Sequence, residues 1–354
     1  MINRIPAVSF LPATAVLELT YACNHQCIFC SCPWEDSSSG FKQETELTTG
    51  KWISTISLLC SMGVSNIAFT GGEPLLRNDL HKIIRHAATC TVDCIKSTNG
   101  SLILEKTKPN LYLLSNGKAL HPQLLEMCGE NNVQLSLSLP GLETFKRHTG
   151  YDGAEKVLQI FSSAKTYGIK TVVNITVTKL NLYELERTIS EALLAGAEQI
   201  LLNRFLPGGR GLAFENELSL SAAEINEMLD KAENVLSVAN RNGSLGTELP
   251  RCIYDPTKYK SLRISSHCSA GNRFFVIGPS GYFRVCNHSP VNLNHIDDVN
   301  NLKFNSYWQR FTQKQYLPAN CNDCRQNIYC DGGCREAAHI IGADICSPDM
   351  LLTK

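Results

Sequence analysis

Between residues 14 and about 210, strand-like and helix-like segments take turns, and this rhythm limits the possible folds more than any other feature. VLEL (16–19), NIAF (66–69), LYLL (111–114), VQLSLSL (133–139), KTVVNITV (170–177) and QILLN (199–203) read as strands. WISTISLLCSMG (52–63), LHKIIRHAA (80–88), PQLLEMCG (122–129), AEKVLQIFSSAKTYG (154–168) and LYELERTISEALLAG (182–196) have helical spacing. Each strand but the last is followed by a helix, which predicts parallel pairing in an α/β layout. KSTNGSLILEKTKPN (96–110) interrupts the series, and its Asn99-Gly100 pair predicts an inserted hairpin.

PGGRG (207–211) ends the rhythm, and SAAEINEMLDKAENVLSVAN (221–240) reads as a bridging helix. Beyond it come short segments, turns and cysteines, with FFVIGPSGYFRV (274–285) reading as two strands around a turn. The expected parts are 13–211, a link over 212–250, and a cysteine-rich unit over 251–354. Residues 315–335 show little apolar periodicity, so metal ligation is the expected organiser there.

Charge and hydropathy narrow the function. The 33 basic and 33 acidic residues cancel without forming long runs, which argues against a nucleic-acid surface. The start lacks the marks of a signal peptide, and no apolar stretch approaches the roughly 20 residues of a membrane span. A soluble, cytoplasmic protein is expected. Sixteen cysteines then need a reason other than disulfides. Cys60, Cys90, Cys94 and Cys128 are scattered and read as small buried hydrophobes. The others are grouped.

Cys23, Cys27 and Cys30 follow the first strand and so lie on a loop at its carboxyl end, the face where active sites sit in a parallel α/β barrel. Three thiolates can hold three irons of a cubane and leave the fourth open to a ligand. A zinc site borrowing His25 or Cys32 is the alternative. Directly after the second strand, Gly71-Gly72-Glu73-Pro74 allows close backbone approach to a ligand. Together, Cys23-x3-Cys27-x2-Cys30 and this motif resemble those of the radical S-adenosylmethionine superfamily, over roughly residues 13–210. The resemblance implies a partial (β/α)6 TIM-like barrel. It also implies that Cys23, Cys27 and Cys30 ligate a 4Fe–4S cluster whose open iron is chelated by S-adenosylmethionine. Phe29 would lie against the adenine, and Gly71, Gly72 and Glu73 would hold the methionyl amine. Ser115, Asn116, Ser138 and Asn174 would be further contacts, with Thr98-Asn99-Gly100 a rival to the Ser115-Asn116 pair. In LSLPG, Pro140 stands where relatives often carry an acid.

The C-terminal spacing is Cys268-x12-Gly281-x4-Cys286, then Cys321-x2-Cys324-x5-Cys330-x3-Cys334, then Cys346. It resembles the SPASM domain, here expected to contain a β-hairpin and short helices; multi-zinc ribbons are the alternative. The resemblance implies two auxiliary 4Fe–4S clusters, so three in all. The inner would take Cys268, Cys286 and Cys334 with Cys252; the outer would take Cys321, Cys324, Cys330 and Cys346.

The implied reaction is reductive cleavage of S-adenosylmethionine to a 5′-deoxyadenosyl radical, which removes hydrogen from an unactivated carbon. The expected substrate is a ribosomally made precursor peptide that is then crosslinked, modified in its backbone or oxidised. Alternatives are dehydrogenation of a small molecule, formylglycine-type protein maturation, or a non-catalytic iron–sulfur carrier or zinc scaffold. A reductant such as flavodoxin or ferredoxin is implied. Because the barrel starts near Met1, a separate leader-binding protein is also expected. Cys32, Trp34 and Glu35 are candidates for shaping the substrate channel.

Overall fold

The structure is a computed structural model that describes residues 9–36, 41–98 and 101–352. All six expected strands form. The chain runs through β1 (Thr14–Glu18), α1 (Thr49–Ser61), β2 (Asn66–Thr70) and α2 (Leu80–Thr89). The insert follows as β3 (Val92–Thr98) and β4 (Ser101–Thr107), an antiparallel pair forming its own two-stranded sheet. Its expected turn at Asn99-Gly100 lies outside the described residues. The series resumes with β5 (Asn110–Ser115), α3 (Pro122–Glu130), β6 (Val133–Ser138), α4 (Phe145–Thr149), α5 (Ala154–Thr166), β7 (Thr171–Val177), α6 (Leu185–Ala195) and β8 (Gln199–Arg204). These six strands lie parallel in the order β8-β7-β6-β5-β2-β1.

The two-residue repeat decides which face meets the helices. Along β7, Thr171, Val173, Ile175 and Val177 are buried, while Val172, Asn174 and Thr176 are half-buried on the other face. The buried set joins one large core with Trp52 and Ile56 of α1, Phe161 of α5 and Ile189 of α6. The opposite face carries a small apolar cluster of Val16, Ala68 and Val276. Local signals set the helix ends. The Thr48 side chain accepts the Lys51 amide before α1, and Gly150, at φ 73°, ends α4. The helix expected from 182 opens instead with a 3-10 turn, Leu182–Glu184. Tertiary bonds hold it: Glu184 accepts the amides of Leu142, Glu143 and Thr144.

After β8 come α7 (Glu215–Leu218) and α8 (Ala222–Val238), the latter opened by a Ser221–Glu224 capping box. The later strands join the main sheet. β9 (Gly243–Leu245) pairs with β8, and β10 (Leu262–Arg263) with β9. β11 (Phe274–Ile277) lies parallel to β1, and β12 (Phe283–Arg284) turns back antiparallel on it. The result is one ten-stranded sheet, β10-β9-β8-β7-β6-β5-β2-β1-β11-β12. The short helices α9 (Ser306–Thr312) and α10 (Arg335–Gly342) complete the chain.

Polar bonds organise the weakly periodic segment. The buried Arg335 guanidinium donates to the carbonyls of Gly332, Gly333, Ile345 and Ser347. Asp331 accepts from the Cys268 amide and the Tyr316 hydroxyl. Among the described residues, no helix is long and apolar enough to cross a membrane.

Candidate active site and cysteine groups

The loop bearing Cys23, Cys27 and Cys30 leaves the carboxyl end of β1 and is pinned from two sides. From α4, the carbonyls of Thr149 and His148 accept the amides of Gln26 and Ile28 at 3.0 and 2.9 Å. From the segment after β8, the Gly211 amide donates to the Cys30 carbonyl at 3.0 Å. Arg210 donates to the Cys27 carbonyl and pairs with Glu35. Glycine is required in this strap, because a Cβ on Gly209 would lie 2.4 Å from the Cys32 carbonyl oxygen.

The thiols of the loop act on one another. Burial pushes Cys27 well above the usual thiol range, and the charges of Cys30 and Cys23 push it further. Cys23 is raised by burial and by Glu73, Cys30 and Glu35. Cys30 is lowered, chiefly by a hydrogen bond from the Cys32 thiol. A set of partly buried thiols that repel one another as anions suits a bound cation. Among the described residues, no three His, Cys, Asp or Glu side chains group as for a single metal ion. A cubane holds its thiolates at separate corners, so the spacing and the soft donors fit a cluster. His25 packs its ring 5.4 Å from that of Tyr151 and 6.3 Å from that of Phe145; burial lowers its pKa to about 4.

The second motif meets this loop directly. The amides of Gly72 and Glu73 donate to the carbonyls of Thr20 and Ala22, both at 2.8 Å, just before Cys23. The buried Glu73 carboxylate accepts from Ser115 Oγ at 2.8 Å, the Asn116 amide at 2.8 Å and the Leu75 amide at 3.1 Å. Burial raises its carboxyl pKa, against these three bonds. The structure therefore brings Cys23, Gly71, Gly72, Glu73, Ser115 and Asn116 together. Phe29 packs against the His148 ring, with centroids 5.7 Å apart. Ser138 ends β6, half-buried, beside Asn174, whose Oδ1 accepts from Asn203 at 2.8 Å. Trp34 stacks edge-on to Tyr21 and beneath Arg284.

The later cysteines fall into groups that differ from the expectation at one place. Cys268, Cys286 and Cys334 are buried and within one another's electrostatic reach. Cys252 is not with them. It lies near Cys330 and Cys324 and acts on Cys321, because the Arg251 amide donates to Cys330 Sγ at 3.4 Å. Cys346 Sγ accepts from Arg310 of α9 at 3.3 Å. Cys60 and Cys128 are buried, as expected, whereas Cys90 is only half-buried, with its thiol donating to the His86 carbonyl; the side chain of Cys94 lies outside the described residues.

Sequence reasoning saw PGGRG only as a break in the pattern. Three glycines among five residues, just past a strand's carboxyl end, were the available signal for a strap. It also missed the walls of a cavity of about 300 Å³ between the cysteine loop and the C-terminal part. Ser31, Pro33 and Gly209 line one side, and His288 and His339 line the other. Buried Glu336 holds His339 at 3.1 Å, and this bond raises the imidazole pKa.

The sequence family described as the Radical SAM superfamily matches residues 17–192. A PqqA peptide cyclase of Bradyrhizobium diazoefficiens is 25% identical over 98% of this chain and 88% of its own length. The structure of Streptococcus suis SuiB bound to precursor peptide SuiA matches with a TM-score of 0.73 and 13% identity, covering 97% of this chain and 76% of that one. Native anSMEcpe, solved with bound AdoMet and the Cp18Cys peptide, gives a TM-score of 0.65 at 17% identity, covering 91% and 89%. These structural likenesses establish the fold.

Proposed function

The chain belongs, through residues 17–192, to the Radical SAM superfamily, and from that premise we propose that it modifies a ribosomally made precursor peptide. The observation that carries the reading is the junction of the three-cysteine loop with Gly71–Glu73. Cys23, Cys27 and Cys30 would hold a 4Fe–4S cluster, and Gly71, Gly72 and Glu73 the amino group of S-adenosylmethionine. When bound, these groups supply one-electron cleavage of a carbon–sulfur bond and the 5′-deoxyadenosyl radical that takes hydrogen from an unactivated carbon.

The protein's own part is placement. Glu73, fixed by Ser115 and Asn116, presents a charge to an ammonium group at a set position. The strap from Gly209 to Gly211 and the α4 carbonyls hold the cysteine loop in one shape. The cavity beside Ser31 and His339 gives a substrate side chain a route toward that loop. A peptide substrate is supported by the near full-length similarity to a peptide cyclase. Crosslinking, backbone modification and oxidation all remain within this chemistry. We assign two auxiliary clusters to the cysteines between Cys252 and Cys346, with flavodoxin or ferredoxin as the class of reductant.

The test is made on anaerobically reconstituted, dithionite-reduced protein. Wild type is expected to release 5′-deoxyadenosine, and the joint Cys23→Ala, Cys27→Ala, Cys30→Ala variant to release none. Mass spectrometry of short peptides encoded beside the gene should show a loss of hydrogen or a new crosslink. Continued release by the triple variant would overturn the site. Unmodified peptides alongside turnover of a small alcohol would overturn the substrate class.

A further inference from the structure

Among the described residues, no fourth cysteine joins the three buried thiols Cys268, Cys286 and Cys334, because Cys252 sits with Cys330, Cys324 and Cys321. A closed cubane takes four protein donors. Glu248 lies beside this group. Its Oε1 accepts the amide of Ser269, the residue after Cys268, at 3.0 Å. It is the foremost charged neighbour of both Cys268 and Cys334. The chain explains why Glu248 and Cys252 point to different groups. Leu249, fully buried, and Pro250 lie between them and start a 3-10 turn, Arg251–Ile253, that carries Cys252 away.

The surroundings fit a carboxylate used as a ligand. Arg204, the nearby cation, spends its guanidinium on Asp349 at 3.0 and 2.5 Å and on the Glu248 backbone carbonyl at 3.1 Å. Asp349 in turn accepts the Cys334 amide at 2.9 Å, so the same frame fixes Cys334 and the base of Glu248. A carboxylate among three thiols is a costly set to bury without a cation. Carboxylate oxygen is a harder donor than thiolate but still an iron ligand.

We infer that Glu248 is the fourth protein ligand of an iron–sulfur cluster held by Cys268, Cys286 and Cys334. The inference rests on the auxiliary-cluster reading above. It releases Cys252 to the group of Cys321, Cys324 and Cys330.

The experiment uses the full chain with Cys23, Cys27 and Cys30 changed to alanine, so that only C-terminal iron is read. That protein should hold about eight irons. Adding Glu248→Gln keeps the side-chain volume and an acceptor for Ser269 but removes the anionic ligand. Iron should fall to about four, or the paramagnetic spectrum should change to that of a three-iron centre. Glu248→Cys should restore about eight irons with a shifted potential. Cys252→Ala should leave the inner cluster's spectrum unchanged. A Glu248→Gln protein with unchanged iron and spectrum would overturn the inference. A parent with no C-terminal iron would overturn the auxiliary-cluster reading and, with it, this inference.

Discussion

Gly72 has no room for another atom: a Cβ there would lie 2.3 Å from the Ala22 carbonyl oxygen and 2.6 Å from that of Tyr21. Gly72→Ala must push β2's exit away from the cysteine loop. We expect a loss of ~1–3 kcal/mol in stability, as for overpacked sites, and weaker S-adenosylmethionine binding. Equilibrium dialysis and denaturant titration would check both. His148 carries a second residue-level prediction. It is wholly buried, between Thr144 and Thr178, and burial lowers its pKa despite the Thr144 carbonyl and Glu184. Below the unfolded value of about 6.5, the unfolded chain takes up a proton that the folded one refuses. Stability should therefore fall as pH drops through 6.5, by at most about 1.4 kcal/mol per unit from this group. His148→Gln should remove that part of the slope, read from urea midpoints between pH 7.5 and 5.

The strap shows what an element adds. Arg210→Ala should leave the fold intact and loosen the loop, because it removes the donor to the Cys27 carbonyl and the pairing with Glu35. The expected result is faster loss of iron during air exposure, followed by the cluster's visible absorbance; an unchanged rate would count against the strap's role. The six strands and the Cys23–Cys30 spacing were legible because both depend on neighbours in sequence. The partners of PGGRG were not, since Gly209 meets Cys32 only after the whole barrel has wound between them. The placement of Cys252 was hidden for the same reason. Its group is chosen by the Arg251 amide and Cys330, contacts distant along the chain. β9 and β10 are too short to show a repeat, and only the pairing of β9 with β8 and of β10 with β9 makes them strands.

Taken whole, the protein is less divided than its sequence suggests. The expected boundaries at 211 and 250 follow composition, yet strands from beyond 240 extend both ends of the sheet. Across one seam, Glu18 of β1 pairs with Arg284 of β12, both buried. Burial is the main influence on Glu18 and raises its carboxyl pKa, with Arg284 opposing. Arg284→Met leaves that carboxylate without its cation and should cost ~3–5 kcal/mol, while adding Glu18→Gln should recover part of it. Since the sheet is continuous, thermal melting of the reconstituted protein should show one cooperative transition; two separated transitions would contradict this.

The sheet order also bears on synthesis. β1 is made before the other barrel strands, but the partner on its outer side, β11, is made only after all of them. The far edge likewise waits for β9 and β10. A nascent chain halted at the end of β8 therefore offers two open strand edges, which are templates for pairing with other chains. Those edges are covered only once β9 and β11 have been made, and the cysteine loop beside β1 takes its final setting only then.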